Sequence, residues 1–325
     1  MSDFRPKNLI SEAKDALSCA SYNPKKLALL HTGIAAGVSL VVALLTYFLD
    51  IGIGNSGGLS GMSNRAMLET AQSVLQLLIS VLSPFWVLGF IAAALSWAHR
   101  QQTTPRTLMS GLRRWGPALR MLILQGLIYF VVIFVAMQIG SVIYTMTPAA
   151  QELDALVGDL VAGGNADPDA LTSLLENLDE ATLMNILLGM LPFLLIPMVL
   201  LLIPVIYRLR LAQYVLMDQP QFGALYAILQ SFRLTKGNCL NLFKLDIRYW
   251  WFYALEILVT VLAYGDILLP LLGVTLNMST VTASIVFYVL TLGAQLALYT
   301  WKKPQIYTTY ALFYDSLLPQ EEVQM

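Results

Sequence analysis

The sequence is short of charge. Charged residues occupy 12% of its 325 positions, about half the share that a soluble domain uses to solvate its surface. A fully water-facing fold is therefore excluded. Hydrophobic residues reach 57% and the mean hydropathy is +0.68, so lipid must be part of the solvent. Cysteine is nearly absent: Cys19 and Cys239 form no CxxC pair and no disulfide framework, and read as small apolar fillers on a reducing side. Histidine is equally scarce. His31 and His99 are expected at the membrane interface, without the carboxylate cluster that a metal site would need. No phosphate-binding GxxxxGKS/T, no HExxH and no GxSxG occurs. No cofactor, metal or nucleic acid is expected, the chain is not read as an enzyme, and a primary pump would need its motor from another subunit.

What is present is a series of long apolar runs. A bilayer core of about 30 Å needs around 20 apolar residues in helix. Six segments qualify: 27–49, 72–98, 121–146, 183–207, 249–272 and 281–300. With the N-terminus inside, eighteen of the nineteen Lys and Arg residues fall in cytoplasmic segments, leaving Arg65 outside. Trp97, Trp115, Trp250, Trp251 and Trp301 cluster at the same boundary, as an aromatic belt should. The expectation is an all-α integral membrane protein of the cell (plasma) membrane, with six transmembrane helices and both termini cytoplasmic.

The connecting segments repeat. Leu9, Ala13, Ala16, Leu17 and Ala20 form an apolar stripe before the first span, ended by Asn23-Pro24. Before the third, Thr104-Pro105 opens a helix carrying Leu108, Leu112 and Trp115, and Gly116-Pro117 is expected to stop it. Before the fifth, Gln219-Pro220 opens one with Leu225, Ile228, Leu229 and Phe232 on one face and Gly237 just past its end. Ser110-x5-Gly116 and Ser231-x5-Gly237 share a spacing. The implied unit is an amphipathic helix plus a transmembrane hairpin, used three times in parallel. Residues 1–325 then form one polytopic domain, with units at about 1–98, 99–207 and 208–300, an external acidic loop at 147–182 and an amphipathic tail at 301–325. The tail carries Ile306, Tyr310, Phe313 and Leu317 at helical spacing. Basic residues on these collars can attract anionic lipid at the inner face.

One ionisable residue lies deep in an expected span. Glu256 is seven residues past Tyr249, about 10 Å into the hydrocarbon at ~1.5 Å per residue. A carboxylate there should face the bundle and be paired or protonated. Tyr253 and Thr260 share its side of the helix. Ser284, Tyr288, Thr291, Gln295 and Tyr299 form a second polar stripe on the sixth span. Glu256, Tyr253, Thr260, Gln295 and Thr291 thus make a candidate intramembrane polar site, readable as a solute or proton pathway or as a hydrogen-bonded helix interface. Asp266 is expected near the outer boundary, too far around the helix to share that site. Pro192, Pro197 and Pro204 in the fourth span suit either a hinge or a fixed bend. Gly33-x3-Gly37 permits close helix packing in the first span.

The run Pro204 … Asp218-Gln219-Pro220 … Ser231 … Lys236-Gly237 … Asp246 … Trp250, with the closing Pro304 … Phe313-Tyr314, resembles a family of bacterial integral membrane proteins found mostly in Firmicutes. That family is catalogued as domain of unknown function 975 (DUF975). Its usual glycine after the Ile-Pro pair is Val205 here. The resemblance implies a multi-pass membrane fold and no established activity. Two functions remain open. One is a non-enzymatic component that organises or regulates a membrane complex or the envelope, with membrane-protein partners. The other is a small-solute or lipid transporter or permease using the polar seam around Glu256.

Overall fold

The structure is a computed structural model that describes residues 6–54, 59–147, 150, 180–271 and 280–319. Every regular element among the described residues is helical. In chain order these are α1 (Pro6–Ser18), α2 (Pro24–Gly54), α3 (Leu59–Ala98), α4 (Ser110–Arg113), α5 (Trp115–Thr145), α6 (Glu180–Leu209), α7 (Ala212–Asp218), α8 (Gly223–Thr235), α9 (Cys239–Arg248), α10 (Trp250–Leu262), α11 (Gly265–Leu271) and α12 (Thr280–Leu317). Two 3-10 turns, Pro105–Met109 and Pro220–Phe222, precede α4 and α8. All-helical structure is what the hydrocarbon demands, since each backbone N–H and C=O must be satisfied within its own segment.

Among the described residues, five segments are long and apolar enough to cross a membrane: Pro24–Val42, Ser73–Ala98, Trp115–Thr145, Leu188–Asp218 and Thr282–Leu317. The expected fifth span is not continuous. It divides into α10, 13 residues or about 20 Å long, and the seven-residue α11. Between them the ladder tightens to three-residue hydrogen bonds, from Ala263 N–H to the Thr260 carbonyl (3.1 Å) and from Tyr264 N–H to the Val261 carbonyl (3.0 Å). Gly265 sits against the Phe287 ring with no room for a Cβ. The expected acidic loop lies almost wholly outside the described residues, as does the Asp266 side chain.

The chain divides into two compact units, Met1–Leu122 with Leu211–Met325, and Ile123–Arg210. The second unit is an antiparallel hairpin of α5 and α6. Gln125 Nε2 donates to the Leu209 carbonyl at 3.4 Å, and the Tyr144 and Phe193 rings meet at 6.1 Å. Pro197 has no N–H to offer the Phe193 carbonyl one turn earlier. Gly140 rests against that carbonyl, where a Cβ would collide with it. The missing side chain lets α5 approach and offers a Cα–H to an otherwise idle acceptor. Gly140→Val should therefore destabilise the hairpin by about 1–3 kcal/mol. A lowered thermal midpoint in detergent checks this, while Gly126→Val, at a helical position facing open space, should cost less. Pro192, Pro197 and Pro204 all stand inside α6 without interrupting it.

In the first unit the core surrounds the C-terminal half of α12. From Pro304 to Tyr314 every residue is buried except Tyr307, which is partly so. This corrects the expected amphipathic tail. The helix continues through Pro304, and its second half is buried on all sides. Helices α1, α2, α3 and α10 pack against α12, and Ala13 and Ala16 supply the buried stripe of α1 as expected.

Three local expectations change. On α8 the buried side is Ala224, Ala227, Ile228, Ser231, Leu234 and Thr235, while Leu225 and Leu229 are exposed. Gly116-Pro117 does not end a helix; both lie in the first turn of α5, where a missing N–H is harmless, and the break falls at Arg114. Gly237, by contrast, takes φ +81° just past α8, the left-handed position expected of it. The shared Ser–Gly spacing therefore joins two unlike glycines. Finally, Gly33 and Gly37 face open space instead of another helix.

Candidate functional site

Two polar groups gather on the face of α12 that runs from Tyr299 to Asp315. In the first, the Tyr299 hydroxyl donates to Glu256 Oε1 across α10 and α12 at 2.5 Å. Lys303, one turn beyond Tyr299, lies within electrostatic reach of the same carboxylate. Its ammonium stands over three rings, at 4.8 Å from the centroid of Tyr299, 5.6 Å from Phe90 and 5.7 Å from Tyr307. Tyr299, Lys303 and Tyr307 recur every four residues, which stacks them on one helix face. Phe90 is fixed by edge-on contacts with Tyr307 (5.3 Å) and Trp97 (5.8 Å), and Trp97 Nε1 donates to Thr103 at 3.1 Å. An ammonium in such a cage is stabilised by the negative faces of the rings.

The sequence expectation grouped five residues here, and the structure separates them. Glu256 is partly buried and bonded as described. Tyr253 turns to Asp246 instead, at 3.4 Å. Thr260 uses its hydroxyl on the Glu256 carbonyl of its own helix, at 2.9 Å. Thr291 is buried with its hydroxyl unpartnered, and Gln295 is partly buried. Among the described residues neither Thr291 nor Gln295 bonds to Glu256. Tyr299 stood in the expected stripe of the sixth span. Lys303 was missed because counting basic residues assigns it to the membrane surface; its spacing of four from Tyr299 was the available signal.

The second group is a collar of carboxylates and phenols. Asp246 of α9 accepts from the Tyr310 hydroxyl in a short bond and from Tyr253, and the two phenol oxygens are 3.3 Å apart. Asp218, at the end of α7, accepts from the Tyr314 hydroxyl at 2.9 Å. The Thr309 hydroxyl donates to the Gln305 carbonyl at 2.7 Å. Its one proton is thus in use, so in the 2.9 Å contact between Tyr249 and Thr309 the phenol is the donor. Tyr214 donates to the Tyr307 carbonyl at 3.4 Å and lies tilted against the Tyr314 ring. Arg114 donates to the Met217 carbonyl at 2.8 Å, placing a cation at the negative end of α7.

The family-motif residues have unequal places in this arrangement. Asp218, Asp246 and Tyr314 form the collar bonds. Pro304 and Phe313 are buried in α12 and Ser231 in α8. Pro220 opens the 3-10 turn before α8. Lys236 caps α8 and is exposed, ahead of the left-handed Gly237. Trp250 is exposed at the start of α10, and Pro204 stands near the end of α6.

The two histidines have different settings. His31 is buried against the protein. It stacks on Trp86 at 5.6 Å, and Trp86 Nε1 donates to its carbonyl at 3.0 Å. His99 pairs with Asp315 at 3.1 Å. The hydrogen bond that His99 donates to Asp315 raises the His99 pKa above its ordinary 6.5, assisted by the charges of Asp315 and Asp218 and opposed by burial. A raised folded value stabilises the fold fully below pH 6.5 and loses that contribution as pH climbs through the raised value. The wild-type melting temperature should thus fall relative to Asp315→Asn over that interval. Parallel pH profiles of the two proteins would contradict the assignment.

The family described as Protein of unknown function (DUF975) matches residues 13–321. No curated protein matches the chain, and no solved structure does.

Proposed function

The chain belongs to the DUF975 family of proteins of unknown function, and on that premise we propose that it is a non-enzymatic membrane component that organises or regulates a partner complex in the bacterial plasma membrane. In this reading it crosses the bilayer six times, with α10 and α11 as one broken crossing, and both termini lie in the cytoplasm. The observation that carries the proposal is the collar. Asp218, Asp246 and Glu256 each accept a hydrogen bond from a phenol of α12, so these three carboxylates are engaged in holding helices together. A protein built this way offers its surroundings a fixed inner-face framework and apolar outer faces.

Gentle solubilisation of native membranes carrying a tagged chain tests this. A discrete set of membrane proteins should co-purify at fixed stoichiometry, and reproducible isolation of the chain alone would overturn the proposal.

A transporter remains the second reading, favoured by the break between α10 and α11 two turns from Glu256. Interrupted helices near an intramembrane carboxylate are how many transporters build a binding site. Solute flux that disappears in Glu256→Gln while folding is retained would select that reading.

A further inference from the structure

We propose that the cleft between α1, the start of α2 and α12 is a binding site for a phosphate-bearing anion. The cleft measures about 570 Å³ and is lined by Lys14, Lys25 and Lys302 together with Asn23 and Trp301, with no acidic residue among the described residues of its wall. That volume suits a lipid headgroup or a small phosphorylated molecule. Lys14 and Lys25 are close enough to act electrostatically on Lys302, and among the described residues no carboxylate forms an ion pair with any of the three.

Lys302 is also held in place. Its ammonium donates to Gln305 Oε1 at 3.2 Å and lies over the rings of Trp301 and Trp251, at 4.5 and 5.5 Å. Three cations gathered in a concave site without a counter-charge repel one another until an anion enters. The 31-residue helix α2 begins in the same wall at Pro24, adding the positive end of its dipole. Phosphate is the shared chemistry of two sources, an anionic lipid headgroup and a soluble phosphate compound. The site deepens the reading above: with this end of the bundle at the inner leaflet, Trp301 marks headgroup depth.

The full chain, delipidated in neutral detergent, is titrated separately with phosphatidylglycerol, phosphatidylcholine and millimolar inorganic phosphate, with bound lipid counted by native mass spectrometry and stability read by thermal shift. Phosphatidylglycerol should bind on the order of tenfold to a hundredfold more tightly than phosphatidylcholine, and Lys14→Gln/Lys25→Gln/Lys302→Gln should abolish the difference. Arg106→Gln/Arg113→Gln/Lys244→Gln removes equal charge from exposed positions elsewhere and should keep it. Stabilisation by inorganic phosphate alone, lost in the cleft variant, would support the same site with a soluble ligand. The proposal is overturned if neither probe distinguishes wild type from the cleft variant, or if the control variant loses the preference equally. Partner co-purification read in the same preparations stays independent. Partners retained without any anion preference would remove this site and leave the complex-component reading intact.

Discussion

Replacing Asp246 by alanine is expected to destabilise the purified protein by about 3 kcal/mol. The Asp246 carboxylate accepts from both Tyr310 and Tyr253, and hydrogen bonds to charged groups contribute roughly 1.5–3 kcal/mol each. Tyr310 is buried, so its hydroxyl cannot turn to water when the acceptor goes. The 3.3 Å contact between the two phenols survives and keeps the loss below the sum of two bonds. Asp246→Asn retains an acceptor oxygen and should cost about 1 kcal/mol, and Tyr310→Phe about 1–2. Thermal or detergent-denaturation midpoints measure the series. A loss below about 0.5 kcal/mol for Asp246→Ala would mean that the collar does not hold α12 in place.

The second large effect concerns Glu256 and Lys303. Glu256→Ala removes the acceptor of Tyr299 and leaves a caged ammonium without its carboxylate. Losing the hydrogen bond to a charged acceptor, together with a longer-range attraction on a partly buried cation, should cost about 2–3 kcal/mol. Pairing Glu256→Gln with Lys303→Met removes the stranded charge, so the double variant should be more stable than Glu256→Gln alone, with a coupling energy of about 1 kcal/mol or more. Strict additivity would show that the lysine and the glutamate do not interact. The experiment also separates the two functional readings. A structural pair moves stability, whereas a transport carboxylate moves flux and leaves stability nearly unchanged.

How far these features could be seen in the sequence depends on the range of the interaction. Pattern and composition were enough for an all-helical, membrane-embedded chain, and for local features such as the left-handed Gly237 and the buried stripe of α1. The face of α8 was misread for a physical reason. Hydrophobicity picks out Leu225 and Leu229 as core, yet both are exposed. The helix closes instead on a side rich in small residues, Ala224, Ala227 and Ser231, together with Ile228 and Leu234. The role of the tail was hidden for a different reason. Ile306, Tyr310 and Phe313 advertise one apolar face, while the burial of Thr308, Thr309 and Tyr314 depends on partners as distant as Asp218, 96 residues away. Asp218, Asp246 and Tyr314 were visible as family-motif residues, but no spacing rule connects them. Glu256 and Tyr299 each stood on a legible stripe; their contact required knowing how α10 and α12 pack.

The central claim is that the polar seam is a closed helix interface, and Thr291 tests it most directly. Thr291 is buried on α12 with its hydroxyl unpartnered, and a water-filled conduit along the polar stripe of α12 would wet it. Thr291→Cys, in a chain with Cys19 and Cys239 replaced by serine, is exposed to a membrane-impermeant maleimide from each side of the membrane in turn. No labelling is expected in the native protein from either side, and full labelling after denaturation. Labelling of the folded protein from either side would contradict the claim.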